Sequence, residues 1–194
     1  LVTESLFSMD GDLAPLSDLA SLCEIHGAGF MVDEAHAVGV LGPKGRGLCA
    51  QFGVTPNILV GTFGKAFGGF GAYAATTAGL RNWLVNTART FIFTTGLPEV
   101  VLTFCKWSLE VASGKEGDAR RGNLLNRIEE FRCAIPTTAS GPIFPIVLGS
   151  ERAAMSASSA LVSSGFYVHA VRPPTVPRGT SRLRVSLTAG HTQH

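Results

Sequence analysis

"VGTFGKAFGGFGAYA", residues 60–74, decides the fold. An apolar run ends at Val60, and a lysine follows five residues later among glycines and alanines. A second strand-like run, "GAYAATT", starts after it. A lysine that closely follows a buried strand is an unusual surface lysine. Glycine around it lets the backbone approach a bulky planar group. An amine held in a partly desolvated place loses its proton more readily and becomes nucleophilic toward an aldehyde.

The same pattern recurs upstream. "LVTESLF" and "GFMVDEA" are short apolar runs, and "PLSDLASLCEIHG" between them has helical spacing through Leu16, Leu19, Ala20, Cys23 and Ile25, with Gly27 as a stop. "NILVGTF" follows. Short buried strands joined by helices predict parallel pairing with right-handed crossovers. In such sheets ligands sit beyond the carboxyl ends of the strands. Ser8, Asp33, His36, Thr62 and Lys65 follow three of these ends and are expected to converge on one crevice.

Downstream of "FIFTTGLP" the spacing predicts a helix over 99–112, a break at "SGKEGDARRG" and a helix over 123–133. The rest reads as a small α+β unit: strand "IFPIVLG", helix 153–163, strand "FYVHAV" and strand "RLRVSL". The expected class is α/β. Residues 1–112 are the end of a large domain with a partial parallel sheet. Residues 113–194 are a small C-terminal domain, cut short. Leu1 opens a strand already in progress and "TAGHTQH" stops where another helix is expected, so the sequence reads as a C-terminal fragment.

Composition narrows the function. The chain has 194 residues, 45% hydrophobic and 15% charged, with net charge +2, which suits a globular protein with a real core and gives no footprint for nucleic acid. Cys23, Cys49, Cys105 and Cys133 show no paired spacing, so they read as reduced thiols of a cytoplasmic protein, with no metal site. The start does not read as a signal peptide, and no apolar run is long enough to cross a bilayer. "VDEAH" is also the acid box of many helicases, but those need Gly-x-x-x-x-Gly-Lys-Ser/Thr. Gly64-Lys65 is followed by Ala66 and Gly114-Lys115 by Glu116, which excludes them.

Pyridoxal phosphate needs a lysine for its aldehyde and an acid for its pyridine nitrogen. Lys65 and Asp33 supply both. Taken singly, Lys65 reads as a loop lysine, Asp33 as a helix cap, His36 as a structural histidine and Arg184 as an exposed strand arginine. The combination favours the cofactor.

Five stretches in order, "TESLFSMDGDLAPL", "MVDEAHAVGVLGPKGRG", "VGTFGKAFGG", "FIFTTGLP" and "VRPPTVPRGTSRLRVSLTAGHT", resemble the α-oxoamine synthase family of fold-type I pyridoxal-phosphate enzymes. The last is most similar to the members that condense L-alanine with pimeloyl-CoA, or its carrier-protein thioester, for biotin. The resemblance implies a decarboxylating acyl transfer. Lys65 would hold the cofactor and move the α-proton. Asp33 would pair with the ring nitrogen, Ser8 and His36 with the phenolic oxygen, and Thr62 with the phosphate. Thr94 and Thr95 would reach the phosphate of the neighbouring subunit of a homodimer. Arg184 would grip the amino-acid carboxylate, for which a guanidinium fork is suited, and Thr175 would line the substrate site. The alternatives are a sibling using glycine or serine with another acyl-CoA, or a non-catalytic fragment.

Overall fold

A computed structural model describes residues 1–192. The helix expected after "TAGHTQH" lies outside them. The described residues divide into two compact units. The first comprises Leu1–Leu6 and Ala14–Arg121, the second Phe7–Leu13 and residues 122–192.

The first unit is built on a four-stranded sheet in the order β1-β2-β3-β4, with β1 Val2–Glu4, β2 Met31–Asp33, β3 Ile58–Thr62 and β4 Ala72–Thr76. The first three strands are parallel, and their ends align, Glu4 opposite Asp33 and Asp33 opposite Val60. Helix α1, Leu16–Ile25, starts after Pro15 with Asp18 in its first turn and buries Leu16 and Cys23, seven residues apart on one face. The short α2, Leu48–Phe52, buries Leu48 and Cys49. Together with Leu6, Phe30, Val32, Val38 and Phe67 these form the core of the unit.

Parallel pairing fails at β4. It runs antiparallel to β3, Ile58 opposite Thr76 and Thr62 opposite Ala72. The connection from Thr62 to Ala72 is shorter than the dozen or more residues a parallel crossover needs. Nor are the last two strands fully buried; in β4 no residue is. Helices α3 (Ala78–Thr87), α4 (Arg89–Ile92) and α5 (Glu99–Ser113) follow.

The expected break at "SGKEGDARRG" is confined to Gly114. Helix α6 spans Lys115–Ala134, eight residues longer at its start than the spacing predicts. Gly117 explains the difference. A Cβ there would lie 2.0 Å from the Ala112 carbonyl oxygen, so this glycine admits the end of α5 against the new helix rather than ending it. Arg121 fastens the junction through the Ala112 carbonyl at 2.7 Å and Asp118 at 2.5 Å.

The second unit carries an antiparallel sheet in the order β5-β7-β6, with β5 Ile143–Gly149, β6 His169–Val171 and β7 Ser181–Ser186. Helix α7, Glu151–Ser163, begins at Ser150, whose hydroxyl accepts the Ala153 N–H at 3.1 Å. Leu183 of β7 packs with Ala154 and Ala170, so α7 covers that face of the sheet. The neighbours of Leu183 on the strand, Arg182 and Arg184, bond the segment Phe7–Leu13 instead. Strand alternation therefore sends the two arginines to the other face. No described helix is long and apolar enough to cross a membrane, and all four cysteines are free.

Candidate active site

The parallel order of β1, β2 and β3 brings their carboxyl ends to one edge of the first unit. Asp33 closes β2 there and is half-buried. Its Oδ1 accepts the Ala35 N–H at 2.8 Å, which turns the chain, and among the described residues Oδ2 has no hydrogen-bond partner. His36 follows in the same turn, also half-buried. Thr62 ends the neighbouring β3. Its hydroxyl donates to the Gly71 carbonyl at 3.0 Å and accepts the Gly64 N–H at 3.1 Å, so it shapes the loop that carries Lys65. Lys65 is exposed, and among the described residues its amine has no hydrogen-bonding or ionic partner.

The glycine beside this loop has a different tenant from the one the sequence suggested. At Gly61 a Cβ would stand 2.3 Å from the Tyr73 hydroxyl oxygen, so the space belongs to the protein's own ring across the β3–β4 pair. Tyr73 packs against Phe63 at 5.6 Å, and Phe63 against Phe67 at 5.5 Å. Burial first, and the negative charge of Glu34 second, raise the Tyr73 phenol above its ordinary pKa.

Glu34 is the residue the sequence reading passed over. It is fully buried although its neighbour Asp33 is not. Its carboxylate accepts the Leu48 N–H at 2.9 Å, the Cys49 N–H at 2.5 Å and the Ser5 hydroxyl at 3.2 Å. It thus ties the start of α2 and the residue after β1 to the turn that presents Asp33 and His36. The Cys49 thiol is pushed up by its burial, then by its hydrogen bond with Glu34 and by that residue's charge, which keeps it an unreactive thiol.

Ser8, Thr175 and Arg184 belong to the second unit. Ser8 is half-buried, and its carbonyl accepts the Arg184 Nε–H at 2.7 Å. Nη1 of Arg184 donates to the Ser186 hydroxyl at 2.8 Å. Nη2 makes no bond, and no carboxylate pairs with the guanidinium among the described residues. Partial burial lowers the Arg184 pKa. Arg184, Thr175, Met9 and His169 line an open cavity of about 610 Å³. Thr94 and Thr95 lie exposed after α4. Among the described residues no cluster of three or more His, Cys, Asp or Glu has metal-ligand geometry.

Chemically, the first unit offers an unpaired amine and a carboxylate with one free oxygen at adjacent strand ends. The second offers a half-buried guanidinium that no carboxylate neutralises among the described residues, on the wall of a cavity. The chain matches the family described as aminotransferase class I and II over residues 1–194. The 8-amino-7-oxononanoate synthase of Burkholderia thailandensis is 47% identical over 98% of this chain and 50% of its own length. The enzyme of that name from Burkholderia vietnamiensis is 47% identical over 98% of this chain and 49% of its own. Among solved structures, serine palmitoyltransferase from S. paucimobilis with bound PLP-myriocin aldimine superposes with TM-score 0.90 at 30% identity, covering 99% of this chain and 50% of that one. The 8-amino-7-oxononanoate synthase of Francisella tularensis superposes with TM-score 0.81 at 32% identity, over 98% and 57%. The chain spans about half the length of the curated relatives it matches. It belongs to the aminotransferase class I and II family and has the fold-type I architecture.

Proposed function

We propose that this chain carries part of the active site of an 8-amino-7-oxononanoate synthase, a pyridoxal-phosphate enzyme that joins L-alanine to a pimeloyl thioester with loss of carbon dioxide. The observation that carries the cofactor is the free Lys65 amine and the open Asp33 oxygen at the ends of neighbouring strands. The donor set fits: one nucleophilic nitrogen for the aldehyde and one anion for a protonated ring nitrogen. The 47% identity to synthases of that name supports the substrates.

Pyridoxal phosphate bound there supplies an electron sink for the carbanion left when the amino acid's α-proton departs. Lys65 would hold the cofactor through its aldehyde and would serve as the base for the α-proton. Asp33 would pair with the ring nitrogen and favour its protonated form. His36 and Ser8 bind the phenolic oxygen. Thr62 would bind the phosphate, and Thr94 and Thr95 would reach the phosphate of a second subunit in a homodimer. Arg184 binds the alanine carboxylate with the edge the protein leaves open, and Thr175 borders the same cavity. Residues 1–112 belong to the cofactor-binding domain and residues 113–194 to the small domain. The cytoplasm, where thiols stay reduced, suits the enzyme.

Borohydride reduction of the cofactor-loaded enzyme, followed by peptide mass analysis, is expected to place the pyridoxyl group on Lys65. A label on Lys44, Lys106 or Lys115 overturns the assignment. Asp33→Asn keeps the shape and removes the charge. A buried charge-assisted hydrogen bond is worth about 1.5–3 kcal/mol, so kcat should fall at least about tenfold to a hundredfold. Wild-type turnover in steady-state assays would remove Asp33 from the cofactor. The higher TM-score with serine palmitoyltransferase keeps a second reading in view, a sibling synthase taking serine. A panel of amino acids against acyl thioesters, read by release of free CoA, separates the two.

A further inference from the structure

Arg182 has a burden that nothing in the chemistry above explains. Its side chain is 6% exposed, and a cation that deep is costly unless paired and hydrogen-bonded. Its acceptors lie on Phe7–Leu13 and on the turn before its own strand. Nη1 donates to the Asp10 carboxylate at 2.5 Å and to the Met9 carbonyl at 3.1 Å. Nε donates to the Thr180 carbonyl at 3.0 Å. Two positions along β7, Arg184 holds the next carbonyl of the same loop, that of Ser8. Met9, between these contacts, lines the cavity together with Arg184.

The two arginines differ in depth and in partner. Arg182 is nearly buried and holds the loop through Nη1, by the Asp10 carboxylate and the Met9 carbonyl, and Asp10 itself is 62% exposed. Arg184 is half-buried, no carboxylate pairs with it among the described residues, and the direction of its open edge depends on where the Ser8 carbonyl stands. If the loop shifts, the Arg184 fork turns with it.

We infer that Arg182 and Asp10 are positioning residues for the anion-binding edge of Arg184: they pin Met9 and Asp10, which sets the Ser8 carbonyl, which orients the guanidinium toward a carboxylate in the cavity. The inference rests on the reading of Arg184 as the amino-acid carboxylate site. It adds that the site is built by the loop, and that an uncharged residue at 182 spoils it without touching the ligand.

The test uses the cofactor-loaded enzyme and reads L-alanine binding, without acyl thioester, from the change in the cofactor's visible absorption. Misplacing a positioned group by a fraction of an ångström to an ångström weakens what it does by up to about a hundredfold. Arg182→Gln is expected to raise the Kd for alanine about tenfold, with the unliganded spectrum unchanged and the KM for the acyl thioester unaltered. Arg182→Lys should not rescue it, because one ammonium cannot serve the acceptors that the planar fork spans. Asp10→Asn changes an exposed side chain, weakens the charged anchor of the loop while keeping the Met9 carbonyl as an acceptor, and should raise Kd about threefold. It decides the matter where Arg182→Gln does not fold. A purely structural Arg182 would lower the unfolding temperature while the folded fraction keeps its Kd; that result overturns the inference. Wild-type alanine affinity in Asp10→Asn, with that of Arg184→Ala lost, overturns it too and leaves the carboxylate reading standing. Wild-type affinity in Arg184→Ala brings down both.

Discussion

Lys65→Ala is expected to abolish turnover in the cofactor-loaded enzyme. The residue serves twice, as the group that holds the aldehyde and as the base for the α-proton. A positioned base alone contributes up to about 10⁴-fold, so the loss should reach at least about that factor. The change should be nearly invisible to folding. Lys65 is exposed and its amine has no partner among the described residues, and surface substitutions of this kind stay within about 0.5 kcal/mol. The combination, a dead enzyme with an unaltered unfolding temperature, separates a chemical role from a structural one. CoA release from pimeloyl-CoA and L-alanine measures the first, and a thermal melt the second. A variant that turns over within about tenfold of wild type would take Lys65 out of the chemistry.

Glu34→Ala should do the reverse, and strongly. The substitution removes the acceptor of the Leu48 and Cys49 N–H groups and of the Ser5 hydroxyl, all in a buried setting. A buried donor left unpaired costs about 1–3 kcal/mol, so the protein should lose about 3–5 kcal/mol of stability. Glu34→Gln should recover only part of it, because its NH₂ would face one of two backbone N–H groups. Chemical denaturation of wild type and both variants measures this. A loss below about 1 kcal/mol, the size of an ordinary single substitution, would mean that water or the backbone takes over the carboxylate's work. The exposed Glu151→Gln is the control.

Much of this was legible because polar residues stand out where apolar runs stop. Asp33, Thr62 and Lys65 mark strand ends in the sequence, and the strands are where those residues said they were. Strand direction was harder. Alternation along "GAYAATT" announces a strand but carries no sign of parallel or antiparallel; only the short link from Thr62 does. The start of α6 was misread because a glycine that breaks a helix and one that admits a neighbour look alike in sequence. Gly117 is the second kind, and only the Ala112 carbonyl against it shows so. Glu34 was invisible for a related reason. Nothing distinguishes it from Asp33 until the start of α2 arrives to use its oxygens. Arg182 and Arg184 could be placed on one face of a strand by their spacing, but the loop they grip lies near the other end of the chain.

That distance has a consequence during synthesis. The partners of Arg182 and Arg184 are separated from them by 172, 173 and 176 residues. At about 5–20 residues per second, a ribosome makes Ser8, Met9 and Asp10 roughly ten to thirty seconds before the strand that will hold them. During that interval the segment waits without its cations while Leu1–Leu6 and the helix after it already have their neighbours. The second unit therefore cannot be completed as a late, self-contained module. A nascent chain stalled before Ser181 should show Phe7–Leu13 open to protease, with protection appearing only when β7 has left the exit tunnel.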